Sequence, residues 1–262
     1  MDDRRIGIFD SGIGGTSIWG EIQELLPLED CIYLADSKNA PYGEKPEEKI
    51  LALSIKNTEF LLSKGCKLIV VACNTATTNA IDYLRENYNV PFIGIEPAIK
   101  PAAINSKSKI VGVLATKGTL SSSLFHSTSK SHAAGITILE QRGTGLVEMI
   151  ENGHLESEEL YLLLESYIMP MLEKGMDYLV LGCTHYPYLI PLLQKMLPEN
   201  VTIIDSGQAV ARQTKSVLEQ NNLLTNSNEL GTHQFFTNGD EKVLASILSP
   251  AKVKHSVSFK DF

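Results

Sequence analysis

Basic residues are in deficit: 23 Lys and Arg stand against 31 Asp and Glu, a formal net charge of −8. That balance argues against nonspecific nucleic-acid binding, which needs a basic surface. It leaves room for a small anionic ligand, because backbone N–H groups and hydroxyls can hold a carboxylate locally. No apolar run approaches the roughly 20 residues of a membrane-spanning helix, and Met1-Asp2-Asp3-Arg4-Arg5 leads straight into an apolar strand with no signal peptide visible. Cysteine is scarce. None of Cys31, Cys66, Cys73 and Cys183 belongs to a C-x-x-C pair, and without secretory features free thiols in a reducing cytoplasm are expected. A dinucleotide fingerprint is missing too: after Gly12 and Gly14 a third glycine should stand where Ser17 is.

What the chain does have is alternation. Arg5 to Phe9, Cys31 to Ala35, Leu68 to Val71, Pro91 to Ile95, Lys109 to Ala115, Ile136 to Leu139, Tyr178 to Leu181, Val201 to Ile204 and His233 to Phe236 read as strands. Between them lie helical stretches. One follows the Gly12–Gly15 turn, one opens at Pro46, one is capped around Asn74 or Thr75, one is capped by Ser157, one begins near Pro187, and one runs from Asp240 to Leu248. The strands are continuous apolar runs, as in parallel sheets covered on both faces. The opening strand recurs about 105 residues on and the Cys73 strand 110 residues on, at Cys183, which indicates an internal duplication. The fold class expected is α/β, with two pseudo-symmetric parallel-sheet domains and the site in the cleft between them. The expected division is residues 1–97 with 208–262 in the first domain and 98–207 in the second.

In open α/β sheets ligands sit beyond the carboxyl ends of the strands. Asp10, Asp36, Cys73, Thr116 and Cys183 all fall at strand exits. Two thiols on opposite sides of a ligand suit stereoinversion at carbon: one thiolate removes a proton from one face while the other thiol delivers one to the opposite face. A helix start after each cysteine would favour its thiolate. Asp10 could partner Cys73, and His185 could partner Cys183. A cysteine ending a buried strand is ordinarily a small core residue, and that is the expectation for Cys31 and Cys66. Asp10, Thr116 and Thr184 could equally be helix caps. Cys183-x-His185 lacks two further ligands for zinc, so no metal is expected.

Taken together, Asp10-Ser11-Gly12-Ile13-Gly14-Gly15, Pro41-Tyr42-Gly43, Ala72-Cys73-Asn74-Thr75-Ala76, Thr116-x-x-Thr119 with Ser122, and Leu181-Gly182-Cys183-Thr184-His185-Tyr186-Pro187 resemble the bacterial glutamate racemase family over almost the whole chain. The resemblance implies cofactor-independent interconversion of L- and D-glutamate, supplying D-glutamate for peptidoglycan. It assigns Cys73 to D-glutamate and Cys183 to L-glutamate, with Asp10, Asp36, Glu151 and His185 assisting. Implied substrate contacts are Asp10, Ser11, Tyr42, Gly43, Asn74, Thr75, Thr116, Thr119, Thr184 and His185. It also implies a C-terminal segment that returns to the first domain, and a homodimer. One stretch departs from the family pattern: Gly143-Thr144-Gly145-Leu146-Val147 stands where members carry a proline-containing apolar run, so Glu151 is placed by its spacing to Cys183. An aspartate-specific racemase, a cysteine hydrolase using His185 as base, and a noncatalytic two-lobed amino-acid receptor are the competing expectations.

Overall fold

A computed structural model describes residues 2–132 and 135–262. It contains two parallel sheets. The first has six strands in the order β10-β9-β2-β1-β3-β4, formed by β1 (Ile6–Asp10), β2 (Cys31–Ala35), β3 (Leu68–Val71), β4 (Phe92–Gly94), β9 (His233–Thr237) and β10 (His255–Phe259). The second has four, in the order β6-β5-β7-β8: β5 (Ile110–Ala115), β6 (Thr137–Arg142), β7 (Tyr178–Gly182) and β8 (Thr202–Ile204). The order β2-β1-β3-β4 is thus repeated as β6-β5-β7-β8, which is the duplication expressed as topology. All the strand pairings are parallel.

Residues of β1, β2 and β3 are buried throughout, since helices cover both faces and leave no solvent side that would impose an alternating pattern. In the first unit these helices are α1 (Thr16–Leu25), α2 (Glu47–Ser63) and α3 (Asn74–Asn87). Around the second sheet lie α4 (Ile99–Asn105), α5 (Lys117–Leu120), α6 (Ser123–His132), α7 (Leu146–Glu151), α8 (Glu158–Glu173) and α9 (Ile190–Met196). The chain then runs through α10 (Gly207–Gln220), which carries Val210, Ala211 and Leu218 into the core and packs on α1. It finishes with β9, α11 (Glu241–Leu248) and β10, which extend the first sheet along the free edge of β2.

Four details differ from the sequence expectations. The cap of α3 is the Cys73 thiol, which accepts the Ala76 N–H at 3.4 Å, in place of Asn74 or Thr75. After Cys183 the chain makes a short 3₁₀ turn, Tyr186–Leu189, before α9 begins at Ile190. Strand β10 and helix α4 carry no clear periodicity in sequence, and β6 runs on to Arg142 because it pairs with all of β5. No helix among the described residues is long and apolar enough to cross a membrane.

Candidate active site

The carboxyl ends of both sheets face one buried cleft. Ser11, Tyr42, Gly43, Cys73, Asn74, Thr75, Thr116, Cys183, Thr184 and His185 line it, together with Pro41 and Val147, which were not among the expected contacts. The space left among them is about 10 Å3, roughly room for one water. The two units therefore stand closed on each other. Thr75, from the first, and Thr116 and Thr119, from the second, form a hydroxyl cluster with Oγ1–Oγ1 separations of 2.9 to 3.4 Å. Gly43 lies so near Thr116 that an added Cβ would come within 2.8 Å of the Thr116 Cβ.

The two thiols have unlike neighbours. Cys73 is buried, and burial pushes its thiol well above the usual range, with the Asp10 carboxylate adding to the effect. The Ala76 N–H and the Ser11 hydroxyl pull the other way and are outweighed. A helix start alone does not make this thiol acidic; desolvation wins. Asp10 ends β1 fully buried. Its Oδ2 accepts the Gly15 N–H at 2.8 Å and its Oδ1 the Thr184 hydroxyl at 3.4 Å. Burial raises the Asp10 carboxyl above the carboxylate range, against the pull of His185 and the Gly15 N–H.

On the other side a relay stands behind Cys183. Its Sγ lies 3.8 Å from His185 Nδ1, and His185 Nε2 lies 2.5 Å from Glu151 Oε1. Burial opposes the imidazolium, but hydrogen bonds to Cys183 and Glu151 overcome it and hold His185 well above its ordinary value. Burial also opposes the Glu151 carboxylate, and His185 with the Ile13 N–H brings it below the usual range. The glycine-rich turn of the first unit receives this pair. The Ile13 N–H donates to Glu151 Oε1 at 2.6 Å. A Cβ at Gly12 would lie 1.8 Å from Glu151 Oε1, and one at Gly14 would lie 2.2 Å from His185 Nδ1. The anion at this helix-opening turn is therefore a side chain of the second unit.

Asp36 does not line the cleft. Its Oδ2 accepts the Tyr42 hydroxyl, and its Oδ1 accepts the Asn39 amide at 2.8 Å and the Asn238 amide at 2.5 Å. Asn57 donates to the Tyr42 oxygen at 3.1 Å, so that hydroxyl is committed to protein partners and only the rest of Tyr42 faces the cleft. Asn74 differs: both polar atoms of its amide are buried without a partner. Cys31 and Cys66 are core residues, as expected. Burial raises both thiols, that of Cys66 to about 12. Asn57 and Asn238 escape the sequence reading, although Asn238 follows β9 directly and strand-exit position was an available signal.

Two duplicated α/β units close a pair of thiols on one cleft, each thiol with its own acid–base neighbours, an arrangement suited to an isomerase of the two-base type. The chain belongs to the Asp/Glu/Hydantoin racemase family, whose model matches residues 21–214. It is 45% identical over 247 residues to the glutamate racemase of Herpetosiphon aurantiacus, covering 94% of this chain and 97% of that one. Among solved structures, the Escherichia coli glutamate racemase bound to L-glutamate and the activator UDP-MurNAc-ala matches at 33% identity and TM-score 0.87, with 98% of each chain covered. The Bacillus anthracis isoform RacE1 matches at 30% identity and TM-score 0.86, covering 99% of this chain and 98% of that one.

Proposed function

We propose that the chain interconverts L- and D-glutamate by two-base proton transfer between Cys73 and Cys183. One observation carries this: two cysteines from equivalent strand exits of a repeated unit line the same closed cleft. In the L-to-D direction, Cys183 removes the α proton from one face, with His185 and Glu151 taking up and balancing charge behind it. Cys73, held protonated by burial, delivers its proton to the other face. In the reverse direction Cys73 is the base and Cys183 the acid; the Asp10 carboxylate disfavours a thiolate by its charge, but its own carboxyl is raised by burial, which suits it to take up the Cys73 proton. The facial assignment rests on the family resemblance.

The unpartnered amide of Asn74 supports a substrate-binding role, since a bound amino acid would satisfy its donor and acceptor. Hydroxyls of Ser11, Thr75, Thr116, Thr119 and Thr184 and the backbone at Gly43 complete a polar cradle for the two carboxylates and the amine. Asp36 acts through Tyr42. The two domains are residues 1–97 with 208–262, and 98–207. The working protein is a homodimer in the cytoplasm, and its product D-glutamate supplies peptidoglycan synthesis. These points follow the family.

Incubating D-glutamate with the enzyme in D2O should yield L-glutamate carrying deuterium at the α carbon, seen by NMR together with chiral chromatography. Unlabelled substrate recovered from folded enzyme would overturn the proposal. Comparison of kcat/KM for glutamate and aspartate tests the side-chain preference.

A further inference from the structure

The loop that carries Pro41, Tyr42 and Gly43 into the cleft has its supports elsewhere in the chain. Strand β9 pairs with β2 so that Thr237 lies opposite Ala35, which brings the next residue on each strand, Asn238 and Asp36, side by side. The Asn238 Nδ2 donates to Asp36 Oδ1 at 2.5 Å while its Oδ1 accepts the Lys38 backbone N–H at 2.9 Å. Asn238 is 5% exposed and Asp36 1%. The following residue fits as closely: a Cβ on Gly239 would come within 2.6 Å of the Ser37 Cβ. Asp36 passes the constraint on by accepting the Tyr42 hydroxyl, and Asn57 holds that oxygen from the opposite side.

We propose that Asn238, supplied by the C-terminal strand pair, is a positioning residue for the racemisation: through Asp36 and Lys38 it fixes the loop that places Tyr42 and Gly43 against the substrate. This rests on the glutamate racemase function proposed above. Asparagine suits the position because one side must donate to a carboxylate and the other must accept a backbone N–H. Aspartate keeps the acceptor, loses the donor and sets a second carboxylate against Asp36. Alanine removes the acceptor of the Lys38 N–H and leaves Asp36 Oδ1 with the Asn39 amide alone.

The test is steady-state kinetics with L-glutamate on wild type, Asn238→Ala and the near-isosteric Asn238→Asp, with Gln234→Ala on the same strand as control. Rates are expressed per folded molecule. Asn238→Ala should lower kcat/KM about tenfold, mainly through KM, because the displaced loop contacts bound substrate. Asn238→Asp should be at least as impaired at pH 8 and should recover part of the loss near pH 6, as proton sharing between adjacent carboxyls becomes easier. Gln234→Ala should match wild type. In a cycle with Tyr42→Phe, the double variant should lose little more than Tyr42→Phe alone, because both changes cut the same chain of hydrogen bonds. Wild-type kcat/KM in Asn238→Asp, or additive losses in the cycle, would overturn the inference. Inactive wild-type enzyme would instead overturn the racemase function on which it rests.

Discussion

At the scale of residues, the two thiols differ in what stands behind them, and single-thiol variants should separate their duties. With Cys73→Ala, the Cys183 relay should still reach one face of the α carbon under the proposed reaction. L-glutamate should then continue to exchange its α proton with D2O, while racemisation falls by about 10²–10⁴-fold, the usual worth of a positioned acid or base. Cys183→Ala should show the same pattern with D-glutamate. Equal loss of exchange from both enantiomers in each variant would contradict the division of labour. The glycine turn gives a second prediction. Gly12→Ala and Gly14→Ala put a methyl group where Glu151 and His185 now sit, so each should depress kcat by about 10²-fold or more through displacement of the relay. Circular dichroism should remain native. Both thiols, Asp10 and His185 were legible in the sequence as strand-exit residues in a repeated context. The docking of Glu151 on the Ile13 N–H was not, because it joins residues 138 apart in sequence, and no local pattern encodes that contact.

At the scale of elements, the strands were easy to read because parallel strands covered on both faces are unbroken apolar runs. Strand β10, His-Ser-Val-Ser-Phe, lies at the sheet edge, half buried, and alternates too weakly to announce itself. Helix α3 opens on a cysteine where the sequence points to Asn74 or Thr75. The thiol takes the capping position because Cys73 is the last extended residue, with φ −140° and ψ 118°. Asn74 is then inside the helix and keeps its amide free for the cleft. Helix α5 meets α3 and the Tyr42–Glu44 turn across the seam, and an added Cβ on Gly118 would approach Thr75 Cγ2 to 2.9 Å and Gly43 Cα to 3.1 Å. Gly118→Ala should therefore wedge the seam and raise KM for glutamate several-fold while the thermal midpoint hardly moves. Unchanged KM would show that the seam yields without cost.

At the scale of the whole molecule, the C-terminal strands tie the chain's end to its first sheet, and His233 lies in that joint. Trp19 Nε1–H donates to its Nδ1 at 3.2 Å, its Nε2 is buried without a partner, and burial lowers its pKa to about 4. Between about pH 6.5, the unfolded value, and pH 4, the unfolded chain binds a proton at His233 that the folded chain refuses. Stability should fall as pH drops through that window, and level off below it as far as this group is concerned. Thermal melts of wild type and His233→Gln at pH 7.5, 6, 5 and 4 check this: the wild-type midpoint should fall more steeply between pH 6.5 and 4 than that of the variant. Parallel slopes would exclude His233 as the source.

The unlike surroundings of the two thiols carry a kinetic consequence as well. L- and D-glutamate are mirror images in an achiral solvent, so their equilibrium constant is one, and no asymmetry in the protein can move it. Asymmetry can act only on the enzyme. Under the two-thiol reaction proposed above, each turnover leaves the protein with its proton on the opposite sulfur, and that form is ready only for the reverse reaction until a proton is redistributed through solvent. Burial and the Asp10 carboxylate make the form with a Cys73 thiolate costly. At high concentrations of both enantiomers the reverse reaction restores the first form directly, so exchange between the enantiomers should outrun net conversion, which alone waits on this recovery step.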